Sequence, residues 1–152
     1  MLIHELKLTG LLSFGPATQT LEMRPLNVLI GPNGSGKSNL LEAVGLLRAA
    51  PRDLSAPVKE AGGVRDWLWK GDKSPKATIE AIVDYPDFAD APIRHRISFA
   101  EHGRQFEVNS EQIENAYPLC GEDNPQTIYG MEDGEGALYE KTETRESIRS
   151  LP

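Results

Sequence analysis

Apolar and polar positions change rhythm several times along the chain, and each change marks an element. Over residues 1–9, Leu6 and Leu8 fall on one side and Glu5 and Lys7 on the other, the two-residue alternation of a strand. A second short strand is predicted at 20–23, closed by Pro25. Residues 26–30 are apolar apart from Asn27, as expected of a strand covered on both faces, and they run straight into a glycine-rich octet. The period then turns helical: Leu40, Leu41, Ala43, Val44 and Leu47 predict a helix over 37–49, stopped by Pro51. Residues 51–63 read as a loop, and 64–70 as a short amphipathic helix closed by Gly71.

Alternation returns in the second half. Ala77, Ile79, Ala81 and Val83 share one face of a strand, which a proline-bounded loop at 86–92 separates from the next, carried by Ile93, His95, Ile97 and Phe99. Phe106 and Val108 mark another strand, and 100–103 has the length of a hairpin connection, so this region is expected to be antiparallel. Beyond Tyr117, turn residues interrupt brief apolar pairs such as Ile128-Tyr129 and Leu138-Tyr139, and no internal repeat is visible. The order of strand, glycine-rich turn, helix and antiparallel meander is an α/β plan with an added β layer.

Composition narrows the class. With 152 residues, 39% hydrophobic and 26% charged, the chain fits one core and leaves no room for a second of ordinary size. Its 14 glycines and 11 prolines stay far below the level of low-complexity disorder. Glu42, Gly45 and Arg48 interrupt the longest apolar stretch, so no membrane span is expected. No basic segment followed by an apolar one opens the chain, which predicts a cytoplasmic protein without a secretion signal. The single cysteine, Cys120, agrees with a reducing compartment.

The net charge of −7 is uneven: up to Ser110 acidic and basic residues balance, and the whole excess lies from Glu111 onward. That acidic stretch is expected to be a solvated surface. The expected division is 1–116, carrying the glycine-rich site, and 117–152, an acidic, turn-rich segment. No basic stripe of the kind that neutralises a nucleic-acid backbone is present.

The chemistry lies in Gly31-Pro32-Asn33-Gly34-Ser35-Gly36-Lys37-Ser38, a full match to G-x-x-x-x-G-K-[ST] between an apolar strand and a helix. Glycines permit positive φ and a close backbone approach, so successive amides form an anion nest, and the helix N-terminus adds partial positive charge aimed at the same point. Lys37 is the candidate catalytic group, reaching the β- and γ-phosphates. The Ser38 hydroxyl is the candidate Mg²⁺ ligand, and residues from Gly31 through Ser38 together with Asn39 form the nucleotide-binding set. ATP and Mg²⁺ are the expected ligands.

The filling GPNGSGKSNLLEA behind LNVLI resembles ATP-binding-cassette heads of the SMC and RecF type and the AAA-like ATPases built on them. The opening LTGLLSFG resembles the start of the same lobe, where the family places adenine-contacting residues, and the stretch around IRHRISFAEHGRQFEV resembles its added hairpin. The resemblance, which covers roughly residues 1–115, implies a P-loop ATPase fold and ATP held between two heads packed head to tail, hence a homodimer. It further implies action on DNA or on an effector such as a nuclease, in DNA repair, recombination or defence. In the family hydrolysis also requires a Q-loop glutamine, a serine-glycine signature and an apolar strand ending in Asp-Glu. This sequence shows neither of the last two, so it resembles the front portion of a longer ATPase and is expected to be inactive alone.

Other residues admit two readings. Gln126 fits the Q-loop or an ordinary loop, the latter being favoured by its Pro/Gly-rich setting. Asp84, after an apolar strand, is either a meander turn or the metal-side aspartate of a compact P-loop kinase, the first alternative function. A second alternative is a non-catalytic module that nucleotide merely orders. Trp67, Trp69 and Arg65 could stack on a base, although packing suits the tryptophans better, one in the core and one half-exposed. His4, His95 and His102 show no metal spacing and read as core or surface histidines.

Overall fold

The computed structural model describes residues 2–72, 76–84, 91–140 and 147–150, and side chains up to residue 138. Among the described residues eight strands form one sheet, ordered β2-β1-β3-β4-β5-β6-β7-β8, with every neighbouring pair antiparallel. They are β1 (Ile3–Thr9), β2 (Leu21–Glu22), β3 (Lys76–Val83), β4 (Ile93–His102), β5 (Gln105–Asn115), β6 (Thr127–Glu132), β7 (Glu135–Glu140) and β8 (Ser147–Ser150). Three helices interrupt the order between β2 and β3: α1 (Lys37–Ala49), α2 (Ser55–Glu60) and α3 (Val64–Trp67).

Register sorts the sheet into two faces. Leu6 stands opposite Ala81, Leu8 opposite Ile79, Ile79 opposite Ile97 and Ala77 opposite Phe99, so the apolar members of β1, β3 and β4 share one face. Leu40, Ala43 and Leu46 of α1, Val58 of α2, and Val64 and Trp67 of α3 complete the core against it. Phe99 is fully buried and packs its ring 5.2 Å from that of Phe106 across the hairpin. The other face is a charge ladder, in which Glu80 pairs with Arg96 at 2.7 Å and Arg94 with Glu114 at 2.8 Å. Such pairs contribute about 0–1 kcal/mol each when exposed, and here they keep a wide sheet face wettable.

The strands expected at 1–9, 20–23, 77–83, 93–99 and 106–108 and the helix at 37–49 are all formed, within a few residues at their ends. The first hairpin turns at Gly103 and Arg104, with φ of 57° and 71°, the two-residue geometry that matches strand twist. Most of the loop at 86–92 lies outside the described residues.

Three expectations are corrected. Residues 51–63 contain α2, whose apolar Val58 is buried; prolines masked the helix, although Pro57 stands in the first turn, where no amide is needed. The turn-rich stretch beyond Tyr117 carries β6, β7 and β8, because the free edge of β5 supplies a ladder that weakly patterned segments can join. Asp133-Gly134, with φ of 48° and 85°, is the hairpin turn that could have revealed them.

The third correction concerns residues 26–30. Expected as a strand covered on both faces, they form no ladder, and Leu26 is 80%, Val28 74% and Ile30 91% exposed. A buried parallel strand needs neighbours on both sides, and no described strand lies beside this one. Leu41 on α1, expected on the apolar face, is likewise exposed.

Candidate nucleotide-binding site

The glycine-rich octet is a turn leading directly into α1. Gly34 and Gly36 have φ of 80° and 88°, a backbone that side chains disfavour, and Gly36 is the N-cap of the helix without any side-chain cap. Ser35 donates its amide to the Pro32 carbonyl at 3.3 Å, and the Leu40 amide closes the first helical bond on the Gly36 carbonyl at 3.0 Å. The first-turn amides of Lys37, Ser38 and Asn39 therefore have no intrahelical acceptor and face outward with the positive end of the helix. No acidic residue stands in that turn to neutralise it.

Lys37 bends back over the loop. Its Nζ donates to the carbonyls of Gly31 at 2.8 Å and Pro32 at 2.7 Å, and lies 3.3 Å from Ser35 Oγ. The ammonium is thus held by the loop's own carbonyls, on the same turn as the free amides of the first helical turn. Pro32, Asn33, Gly34, Ser35 and Ser38 are all exposed, so no described residue covers the loop. All nine residues from Gly31 through Asn39 lie on one contiguous turn, with the Ser38 hydroxyl one position beyond the lysine.

A second element reaches the loop from the end of β1. Residues 10–15 fold into a tight turn: Leu11 and Phe14 exchange backbone hydrogen bonds at 3.0 and 2.7 Å, and Gly10 donates to the Gly15 carbonyl at 3.3 Å. The segment after α3 clamps it, with the Leu12 amide on the Trp67 carbonyl at 2.6 Å and the Trp69 amide on the Gly10 carbonyl at 2.9 Å. The half-buried Trp69 ring packs against Gly15, while Trp67 is buried. Both tryptophans thus serve packing. Arg65, the third member of that candidate set, pairs instead with Glu101, whose carboxylate holds the guanidinium pKa above its usual value.

The remaining candidates lie elsewhere. Asp84 accepts from His4 at 2.7 Å, and its amide bonds the Leu2 carbonyl, which places it at the start of β1. The phosphate loop is at the other end of that seven-residue strand, roughly 20 Å away at about 3.3 Å per residue, too far to share a metal with Ser38. Gln126 bonds Glu122 within its own loop. His95 pairs with Glu111 and His102 approaches Glu107, so each histidine has its own carboxylate. Among the described residues no cluster of three metal-ligating side chains occurs, and no helix is long and apolar enough to cross a membrane. Cys120 is exposed.

Comparison with known proteins fits this geometry. A family model described as "AAA domain, putative AbiEii toxin, Type IV TA system" matches residues 26–123, from the apolar run through the phosphate loop and beyond β5. The chain is similar to the chromosome partition protein Smc of Halothermothrix orenii, 31% identical over 113 residues, which are 73% of this chain and 9% of that protein. It is also similar to structural maintenance of chromosomes protein 5 of Schizosaccharomyces pombe, 35% identical over 86 residues, 57% of this chain and 7% of that protein. Structural maintenance of chromosomes protein 2 of Gallus gallus is 29% identical over 134 residues, 86% and 10% respectively. The chain therefore spans a tenth or less of these curated relatives. With a P-loop that opens a helix and a family match over most of its length, the chain belongs to the AAA-domain family, as an SMC-like P-loop ATPase portion.

Proposed function

We propose that this chain is the nucleotide-binding half of an SMC/RecF-like ATPase head, taking Mg²⁺-ATP on residues 31–39. Amides of the loop and first helical turn cradle the phosphates, Lys37 neutralises the β- and γ-oxygens, and the Ser38 hydroxyl holds the metal, which when bound offsets charge on the transferred phosphoryl group. Residues 1–116 carry this half-site, and 117–152 form an acidic extension. The observation that carries the reading is the exposed loop at the N-terminus of α1, with Gly36 as a cap that supplies no side chain and Lys37 folded back onto the loop carbonyls.

The exposure of 26–30 supports the same reading. An apolar run of strand length that ends at the phosphate loop, yet pairs with nothing described, is what a half-built α/β core displays. Its missing neighbours, together with the signature and Asp-Glu motifs, belong to the rest of the ATPase, and a second head completes the composite site. Hydrolysis then requires that assembly, because positioning and charge stabilisation supply nearly all the catalysis in phosphoryl transfer. A soluble cytoplasmic protein acting on DNA or on an effector, in repair or defence, follows by resemblance. The placement of Asp84 argues against the compact kinase.

Calorimetry tests the reading. The chain is expected to bind Mg²⁺-ATP with measurable heat while producing negligible phosphate. Absence of heat with ATP and GTP on folded protein would overturn it.

A further inference from the structure

We propose that a cleft at the far end of β1 from the phosphate loop binds an alkylguanidinium, the head group of arginine, an inference that does not depend on the nucleotide reading. The cleft encloses about 370 Å³ where the start of β1 meets β2 and β3. That volume lies at the lower end of the range for small-molecule sites and far exceeds what a bare ion needs. Ile82 forms the base of the cleft. It is only 4% exposed, yet it stands on the charged face of the sheet, opposite Glu5 on one side and Arg94 on the other. Pro92 and the exposed Tyr117 extend this apolar lining.

Elsewhere on that face opposite charges meet across the strands. Lys7 stands opposite Glu80, Glu80 opposite Arg96, and Arg94 opposite Glu114. In the row that crosses the cleft the alternation breaks: Glu22 stands directly opposite Glu5, and both line the cleft. Side chains so opposed have β-carbons about 4.5–5.5 Å apart, and like charges there are destabilising. Neither carboxylate has a hydrogen bond or ion pair among the described residues. The neighbouring cations are engaged elsewhere, Arg94 by Glu114 at 2.8 Å and by the Ala116 carbonyl at 3.0 Å, and His4 by Asp84 at 2.7 Å. Arg24 is exposed at the edge of the cleft, its amide and carbonyl both fastened to the Asn27 side chain, and its guanidinium pairs with neither glutamate. Two uncompensated carboxylates beside a buried isoleucine select a cation that carries a hydrocarbon stem. Guanidinium suits the pair better than ammonium, because its planar fork has enough donors to bridge two carboxylates and its flat face stacks on an aromatic ring, which Tyr117 supplies. The methylene stem is left to lie on Ile82 and Pro92.

The test uses the full chain without nucleotide, followed by NMR of the Ile82 methyl groups and the Glu5 and Glu22 amides. The probes are N-acetyl-arginine methylamide, the same compound built on citrulline, which keeps the shape and removes the charge, and ethylguanidinium. The capped arginine is expected to shift these signals saturably and the citrulline compound to leave them in place. Glu5→Gln and Glu22→Gln are each expected to weaken binding by about three- to fivefold, the scale of an exposed ion pair. Their melting temperatures should be unchanged or raised, since one of two opposed charges is gone. Arg24→Ala, which removes the rival guanidinium, is expected to tighten binding. Ethylguanidinium binding as well as the capped arginine would support a free small guanidine as the ligand, and a clear preference for the capped arginine would support an arginine carried on a polypeptide. Equal shifts with arginine and citrulline compounds, or no shift with any probe, would overturn the proposal on wild-type protein alone, whatever the variants do. Unchanged affinity in the double variant Glu5→Gln with Glu22→Gln would overturn it as well, and a lowered melting temperature there would make the carboxylates structural.

Discussion

A lysine that already donates to two carbonyls must release them before it can meet a phosphate. Lys37 holds Gly31 and Pro32 in that way, but both bonds are exposed and water replaces them at little cost. Lys37→Ala is therefore expected to abolish Mg²⁺-ATP binding while changing unfolding free energy by less than about 1 kcal/mol. Calorimetry and urea denaturation read the two effects separately, and unchanged ATP affinity would refute the role of the lysine. Gly36→Ala acts through the backbone instead. Its φ of 88° and the nearby Ser13 Oγ make any side chain costly, with a left-handed penalty of about 1–2 kcal/mol before the clash is counted. Weakened nucleotide binding and a lower melting temperature should appear together in that variant. At this scale the motif was fully legible, because its chemistry depends on residues adjacent in sequence. The approach of Ser13 to Gly36 was not, since the two stand far apart in sequence and the turn clamped by the segment after α3 brings them together.

Elements differ in what their edges and ends demand. Entry into α2 is tied by Asp53, which accepts from the Ser55 amide at 2.9 Å and the Ser55 hydroxyl at 2.7 Å. Those bonds favour the carboxylate, the hydroxyl bond most, and hold the Asp53 pKa below its ordinary 3.8. A depressed folded value means that the tether is fully present above the ordinary carboxylate range and is lost as pH falls through the folded pKa. An NMR titration should show the Ser55 amide shifting with a midpoint below 3.8, and a midpoint at or above that value would contradict the contact. The apolar run at 26–30 allows a sharper separation. Since Val28 and Ile30 are exposed, Val28→Ser with Ile30→Ser should leave the stability of this chain within about 0.5 kcal/mol. A large loss of stability in this chain alone would show that the run is already buried.

For the whole molecule, ligand binding and folding are linked. Nucleotide that binds only the folded chain stabilises it by about 2.7 kcal/mol at a hundredfold excess over Kd, so melting temperature should climb with the logarithm of Mg²⁺-ATP concentration and not at all in Lys37→Ala. The periodicities of β1, β3 and β4 and of α1 determined most of the core, because a two-residue or helical repeat fixes which side chains share a face whatever lies opposite. The octet likewise carries the proposed phosphate chemistry, since its glycines, lysine and serine lie within one turn of chain. Tertiary structure alone decided whether 26–30 would be covered, because burial of a strand is a property of its neighbours and none of the described ones is there. It also decided that β6 to β8 extend the sheet from the edge of β5, that Asp84 faces His4 far from the loop, and that Ser13 faces Gly36. Each of these is a meeting of segments distant in sequence, and such meetings are set by packing of the folded chain, not by any local pattern.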